Sequence, residues 1–335
     1  MPKRKRSRKM SPEFEKTLAQ RAAEAQKVVL SYLPAAEGRQ ERIYSAMEYC
    51  MSAGGKRLRP VIMLEAFSLF NANKEDIYPF MAAIEMIHNY SLIHDDLPAM
   101  DDDELRRGRK TCHVVYGEAM AILAGDGLLN LAFETAAGAL LKRGGFAAGD
   151  MNGDGLMGEQ GFDMTAPDPE YLARAASAIN VLSQKAGCRG MIGGQVVDVL
   201  SEGQQASPVD MDTLLFRHEH KTAALLEAAL MTGGIMGGAS PEQISILEKI
   251  GSCIGLAFQI QDDILDVTGD EQQLGKPVGS DIKNEKVTYV SINGLEKSKK
   301  ASDELMDRAQ SLLKQLPGDH TFLSDLFEWL SGREK

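Results

Sequence analysis

Residues 88–109 read His-Asn-Tyr-Ser-Leu-Ile-His-Asp-Asp-Leu-Pro-Ala-Met-Asp-Asp-Asp-Glu-Leu-Arg-Arg-Gly-Arg. Five aspartates (Asp95, Asp96, Asp101, Asp102, Asp103) and Glu104 stand next to Arg106, Arg107 and Arg109, behind an apolar approach through Tyr90, Leu92 and Ile93. Six acids this close repel one another unless cations sit between them, and hard divalent ions with oxygen ligands, Mg2+ above all, are the usual remedy. In an unbroken helix Asp95 and Asp101 would lie about 240° apart round the axis and about 9 Å apart along it, on different faces. Pro98 removes that obstacle. It cannot continue a helix interior, so the helix is expected to end or kink near Asp96 and let Asp101 fold back. Arg106 and Arg107 then follow on an irregular segment, where they can grip an anion held by metal. The plainer alternative is a solvated acidic loop with compensating arginines.

A second stretch, Gln259-Ile260-Gln261-Asp262-Asp263-Ile264-Leu265-Asp266, bears on that choice. Asp262 and Asp266 are i and i+4, about 6 Å apart along one helical face. Aspartate is a poor helix former, and a surface helix rarely sets it among Phe258, Ile260, Ile264 and Leu265. Two acidic helices in one chain point to a shared metal cluster that an anion completes.

With both stretches in view, the chain resembles the trans-prenyltransferases, or isoprenyl diphosphate synthases, from about Phe14 to Arg333. Asp-Asp-Leu-Pro-Ala-Met-Asp with Arg106-Arg107 is similar to their first aspartate-rich motif, and Asp262-Asp263-Ile264-Leu265-Asp266 to their second. Further markers stand in order: Gly54-Gly55-Lys56-Arg57-Leu58-Arg59-Pro60, Gly193-Gly194-Gln195-Val196-Val197-Asp198, Lys221-Thr222, Phe258-Gln259, Lys276 and Lys286. The resemblance implies that Asp95, Asp101 and Asp262 hold several Mg2+ ions on an allylic diphosphate, with Asp96 in the same motif. It assigns Lys56, Arg59, His88 and Arg107 to isopentenyl diphosphate, and Arg106, Lys221, Lys276 and Lys286 to diphosphate contacts. Thr222 and Gln259 would help stabilise a carbocation, and Gln195 and Asp198 would support the first metal site. It also implies a homodimer.

Product length in such enzymes depends on residues just before the first motif. Tyr90 and Ser91 stand five and four positions ahead of Asp95. A tyrosine there is bulky enough to floor the cavity, which resembles bacterial farnesyl diphosphate synthases and favours a fifteen-carbon product over the twenty carbons of a geranylgeranyl diphosphate synthase. Three other readings compete. His94-Asp95 is also the dyad of HD phosphohydrolases, which leaves the second acidic motif and the lysines unexplained. A terpene cyclase shares the first motif and carries a mixed Asn/Ser/Glu site in place of the second. A non-catalytic subunit is expected to have lost an acidic or lysine position, and none is lost here.

Composition fits an enzyme with a large core. Hydrophobic residues make up 44% of 335, and the net charge of −11 argues against nucleic acid as a partner. An anionic substrate must then be held by local cations and metal. Cys50, Cys112, Cys188 and Cys253 lack metal-ligand spacing and read as reduced packing residues of a cytoplasmic protein. Residues 1–12 form a basic arm without the apolar core of an export signal, and residues 13–335 form one domain.

Helical periodicity covers residues 14–32, 41–51 and, with a turn near 71–76, 61–94. Residues 119–141 read as a buried core helix, too interrupted to span a membrane. Helical patterning resumes over 171–200, 217–231 and 244–266. Between 143 and 169 lies a glycine-rich insertion atypical of the family. Asp150, Asn152, Asp154 and Gly155 match the first half of an EF-hand loop, but its twelfth position is Gly161, where an acid is needed. Alternating strand patterns are absent, so the expectation is all-α: one isoprenoid synthase domain of ten or more helices around a central cavity.

Overall fold

A computed structural model describes residues 12–70, 73–143, 168–201, 209–268 and 287–331. The basic arm, the EF-hand-like segment, Lys276 and Lys286 lie outside the described residues. The fold is all-α. In chain order the helices are α1 (Pro12–Leu30), α2 (Glu41–Met51), α3 (Leu58–Ser68), α4 (Tyr78–Asp95), α5 (Cys112–Tyr116), α6 (Glu118–Arg143) and α7 (Pro169–Ala186). They continue as α8 (Met191–Leu200), α9 (Met211–Arg217), α10 (Ala224–Gly237), α11 (Pro241–Thr268), α12 (Tyr289–Asn293), α13 (Leu295–Leu313) and α14 (Thr321–Ser331). A two-stranded hairpin, β1 (Leu105–Arg106) with β2 (Arg109–Lys110), stands between α4 and α5.

The chain divides into two compact units. One comprises Arg21–Ser183 with Thr232–Ser240; the other comprises Met1–Gln20, Gln184–Met231 and Pro241–Lys335. The first is built around α4, which packs on α6 and α3, while α2 also packs on α6. Phe80, Met81, Ile84, Met86, Ile87 and Tyr90 are all buried, so α4 is apolar nearly all round and cannot be a surface helix. Gly125 lets α6 approach it, because a Cβ there would collide with the His94 ring. Only one face of α6 is buried, through Ala121, Ala124, Leu128, Ala132, Ala136 and Ala139. Ile122 and Leu123 are exposed, so the expectation of a wholly buried core helix needs that correction. No helix among the described residues is long and apolar enough to cross a membrane.

The second unit centres on α11, packed lengthwise on α13. Small polar residues make that seam: Ser298 and Ser302 are buried, and Ser302 Oγ donates to the Ala257 carbonyl at 3.4 Å. Two sequence expectations change here. The pattern from 171 to 200 breaks into α7 and α8 at Gly187–Gly190, with Gly190 outside helical geometry at φ −140°, ψ −123°. The helix carrying Lys221 and Thr222 contains a π-helical turn, His218–Ala223, between α9 and α10. Such a turn inserts an extra residue and re-aims the side chains on it, and it occurs frequently at functional sites.

Candidate active site

In the first unit the helix ends as Pro98 requires. Asp96 caps α4, and the Asp101 N–H donates to the Asp95 carbonyl at 2.9 Å, folding the second aspartate back onto the first. The Asp102 N–H closes the bend on the Leu97 carbonyl at 3.1 Å. Asp96 takes a different part. Its carboxylate is buried and accepts from Arg106 Nε at 2.6 Å and Nη2 at 2.5 Å. Burial works against both charges. It leaves the Asp96 carboxyl above its ordinary range, whereas on Arg106 the Asp96 and Asp103 carboxylates outweigh it and raise the guanidinium. Asp96 thus braces an arginine, while Asp95 and Asp101 are the two aspartates that the bend itself brings together.

Arg106 and Arg107 do not lie on an irregular segment. They occupy the hairpin, whose two turn residues Arg107 (φ 53°) and Gly108 (φ 75°) both adopt the left-handed conformation that two-residue hairpins favour. The turn brings Arg107 back to the chain between α2 and α3, where its Nη1 donates to the Gly54 carbonyl. Gly55 has to be glycine: at φ 118°, an added Cβ would collide with that guanidinium.

Lys56, Arg57 and Arg59 follow directly. Lys56 is exposed, and among the described residues the buried Nε of Arg59 has no hydrogen-bond partner. Burial lowers Arg59 to about 10; Arg107 adds to the shift and Glu85 opposes it. Burial and then Arg59, Arg107, Arg57 and Arg106 push His88 well below its usual 6.5, so its imidazole is neutral near pH 7. Arg107 is lowered by burial, Arg57 and Arg106. Neighbouring arginines thus add to the cost of a positive charge on Arg59, Arg107 and His88, and a bound anion would relieve it. Next to them α4 carries Tyr90, buried with its ring edge-on to His94 at 5.8 Å, and Ser91, whose Oγ donates to the His88 carbonyl at 2.9 Å.

In the second unit, Asp198 on α8 accepts from Lys221 Nζ at 2.5 Å and lies 3.3 Å from Arg217 Nη1. Its carboxylate is thus committed to two cations. Arg217 Nη2 also donates to the Val287 carbonyl at 3.1 Å. Thr222 Oγ1 donates to Gln259 Oε1 at 3.0 Å, joining the π-helical turn to α11. Asp263 is buried and accepts the Tyr289 N–H at 2.7 Å, which anchors α12, while Asp262 is partly exposed on α11. Gln195 lies on the same helix as Asp198.

The donor chemistry fits Mg2+. Among the described residues no three His, Cys, Asp or Glu side chains converge into a closed cage. Mg2+ does not ask for one, since it is commonly held by one or two carboxylates plus substrate phosphates and water. Asp95 and Asp101 offer such a pair at one bend.

Sequence reasoning missed several neighbours. Arg57 and Glu85 form a buried ion pair across 28 positions at 2.6 Å. Cys50 and Cys112 line a cavity with Asp96, Arg106 and Arg107. The two thiols act on each other, which raises Cys50 and lowers Cys112. Nothing in their spacing announces either pair.

The polyprenyl synthetase family matches residues 40–317. The chain belongs to that family. It is 43% identical over 278 residues to the chloroplastic heterodimeric geranylgeranyl pyrophosphate synthase large subunit 1 of Arabidopsis thaliana, covering 83% of this chain and 68% of the relative. To the farnesyl diphosphate synthase of Bacillus subtilis it is 38% identical over 294 residues, covering 88% and 90%. Among solved structures it is similar to an apo FPP/GFPP synthase from Zymomonas mobilis, with a TM-score of 0.76, 31% identity and coverage of 95% and 99%. The all-α isoprenoid synthase fold is therefore the fold of this family member.

Proposed function

We propose that this trans-prenyl diphosphate synthase condenses isopentenyl diphosphate head-to-tail with an allylic diphosphate, dimethylallyl or geranyl, and releases farnesyl diphosphate. The observation that carries the reading is the cationic nest of Arg59, Arg107 and neutral His88 beside a bend that presents Asp95 and Asp101. A multiply charged anion relieves the first, and a divalent ion relieves the second.

Diphosphate leaves carbon only when its charge is neutralised. Mg2+ held by Asp95 and Asp101, and on α11 by Asp262, would supply that neutralisation. Arg106, Lys221, Lys276 and Lys286 are read as diphosphate contacts, although Arg106 reaches them already braced by Asp96. Lys221 must exchange Asp198 for phosphate oxygen, and Arg217 stays behind to balance the carboxylate. Lys56, Arg59, Arg107 and His88 hold isopentenyl diphosphate, with His88 acting through a neutral ring. Thr222 and Gln259, already hydrogen-bonded, face developing positive charge with oxygen dipoles. No side chain has to act as a nucleophile.

Tyr90 carries the choice of product. It is 6% exposed five positions, about 1.4 helical turns, before Asp95, where a large ring limits how far a chain extends along α4. The relatives named as geranylgeranyl synthases favour a twenty-carbon product as the second reading. Purified protein is incubated with Mg2+, isopentenyl diphosphate and either allylic substrate, and the products are identified by mass. A fifteen-carbon diphosphate supports the proposal, whereas a twenty-carbon product keeps the chemistry and discards the role of Tyr90. No elongation by folded, metal-replete protein overturns it. The reading includes a homodimer, which sedimentation checks.

A further inference from the structure

We propose that Arg57 and Glu85 are a positioning pair for the anion-binding turn Gly54–Arg59, setting the direction in which Lys56 and Arg59 leave it. The inference rests on the assignment of that turn to isopentenyl diphosphate.

Arg57 looks like one more phosphate-binding cation in the sequence, yet it is only 3% exposed and all of its guanidinium nitrogens are engaged inward. Nε donates to Gln26 Oε1 on α1, Nη2 to the Met51 carbonyl at the end of α2, and Nη1 to Glu85 Oε1 on α4 at 2.6 Å. Gln26 Nε2 donates to the same Met51 carbonyl at 3.2 Å. Glu85 in turn accepts from Asn89 Nδ2 at 3.3 Å. One buried guanidinium thus fastens three helices, with each of its nitrogens turned to an interior partner.

The backbone tells why the tether sits at this residue. Arg57 is the residue before α3 and adopts φ 45°, ψ 39°, a left-handed conformation that a non-glycine residue holds only when its surroundings impose it. That bend reverses the chain between exposed Lys56 and half-buried Arg59. Without the anchor the turn can relax to the right-handed region, which swings Lys56 and Arg59 away from their present directions.

Glu85 has a second effect through its charge. It is the buried carboxylate acting on Arg59 and Arg107, in a neighbourhood that also holds Lys56, Arg57, Arg106 with its partner Asp96, and neutral His88. It therefore favours the charged forms on which anion binding depends.

A buried ion pair can be replaced by apolar side chains of similar volume with little loss of stability, whereas removing one partner is costly. The double variant Arg57→Met/Glu85→Met is therefore the main test, with thermal unfolding measured alongside steady-state kinetics. The expected result is a melting temperature near that of the wild type, a KM for isopentenyl diphosphate raised about tenfold, and a KM for the allylic substrate changed less than about twofold. A folded double variant with a wild-type KM for isopentenyl diphosphate overturns the proposal and leaves a purely structural pair.

Arg57→Gly combined with Glu85→Met permits the left-handed bend without the tether and without an unpaired carboxylate, and the same rise in KM is expected. Glu85→Gln keeps the shape and removes the charge, so the basic limb of kcat/KM for isopentenyl diphosphate is expected to move to lower pH; an unmoved limb overturns the electrostatic half. Turnover is not the only readout. In metal-free buffer, calorimetry with inorganic pyrophosphate is expected to show binding about tenfold weaker in the double variant than in the wild type, and equal affinities overturn the pair's role. Wild-type protein that binds pyrophosphate but elongates nothing refutes the assigned synthase reaction and not the positioning of the turn.

Discussion

The two acidic motifs sit in regions that handle charge in opposite ways. Around the Gly54–Arg59 turn, Arg59, Arg107 and His88 crowd together with Glu85 as their buried counter-charge, and Arg59 Nε has no partner among the described residues. Around the π-helical turn, Lys221 and Arg217 share Asp198, and nearby Lys185 Nζ binds Glu227 and Glu248. The first region is therefore strained towards an anion, while the second is neutralised within itself. A preorganised cation cluster binds a ligand that stays intact through ionisation, whereas a lysine that must first leave a carboxylate suits a group whose charge grows during the reaction.

The largest effect should come from the aspartate that the bend folds back. Asp101→Asn keeps the Asp101 N–H on the Asp95 carbonyl, so the bend survives while one anionic oxygen donor is lost. We expect kcat to fall roughly 10³-fold with the melting temperature unchanged, the order seen when one electrostatic stabiliser of a transition state is removed. Circular dichroism with Mg2+-dependent kinetics checks this. Retained kcat would mean that Asp101 is an exposed acid of no consequence.

A smaller and more selective effect separates the two regions. Arg59→Met should raise the KM for isopentenyl diphosphate about 30-fold, since a charge-assisted hydrogen bond is worth about 2 kcal/mol, and leave the allylic KM alone. Lys221→Met should do the reverse. Because Arg217 remains to satisfy Asp198, this variant is not expected to lose stability. If both variants damage the same KM, the division of substrates between the regions is wrong. The pH dependence follows from the same nest. Arg59 loses its proton near pH 10, so affinity for isopentenyl diphosphate should decline as pH rises through that value. His88, already neutral, should add no transition between pH 7 and 9.

Much of this architecture is legible in the amino-acid sequence. The limits of α2 coincide with its apolar period, and Pro98 places the end of α4 and the return of Asp101. The hairpin is less legible, because only Gly108 of its two turn residues advertises a positive φ; Arg107 adopts one because the strands beside it demand it. The π-helical turn falls on the polar stretch His-Glu-His-Lys-Thr-Ala, 218–223, where no apolar period registers the added residue. Arg57 misleads for a different reason: next to glycines and another cation it has the surroundings of a phosphate ligand, and only Glu85, a lone acid within the apolar run of α4, hints at an inward partner.

The second region offers one more contrast with the first, through its own buried imidazole. His88 is depressed by burial and cations together, whereas His218 is 2% exposed, has no hydrogen-bond partner among the described residues on either ring nitrogen, and is lowered to about 3 by burial and then Arg217, with Asp198 opposing. A histidine that titrates near 6.5 when unfolded and near 3 when folded binds its proton first in the unfolded chain. Its contribution to stability is therefore intact above pH 6.5 and is lost as pH falls towards 3. Between pH 7.5 and pH 5 the loss from this one residue should be about 2 kcal/mol. His218→Phe fills similar space, carries no proton and leaves no ring nitrogen unpaired, so it should be at least as stable as the wild type at pH 7.5 and more so at pH 5. Urea unfolding of both proteins at the two pH values measures the difference directly, and the contribution of His88 cancels because it is common to both. An equal loss in the two proteins would mean that His218 finds a partner or solvent in the folded state, and that the second region is less dry around its π-helical turn than its packing indicates.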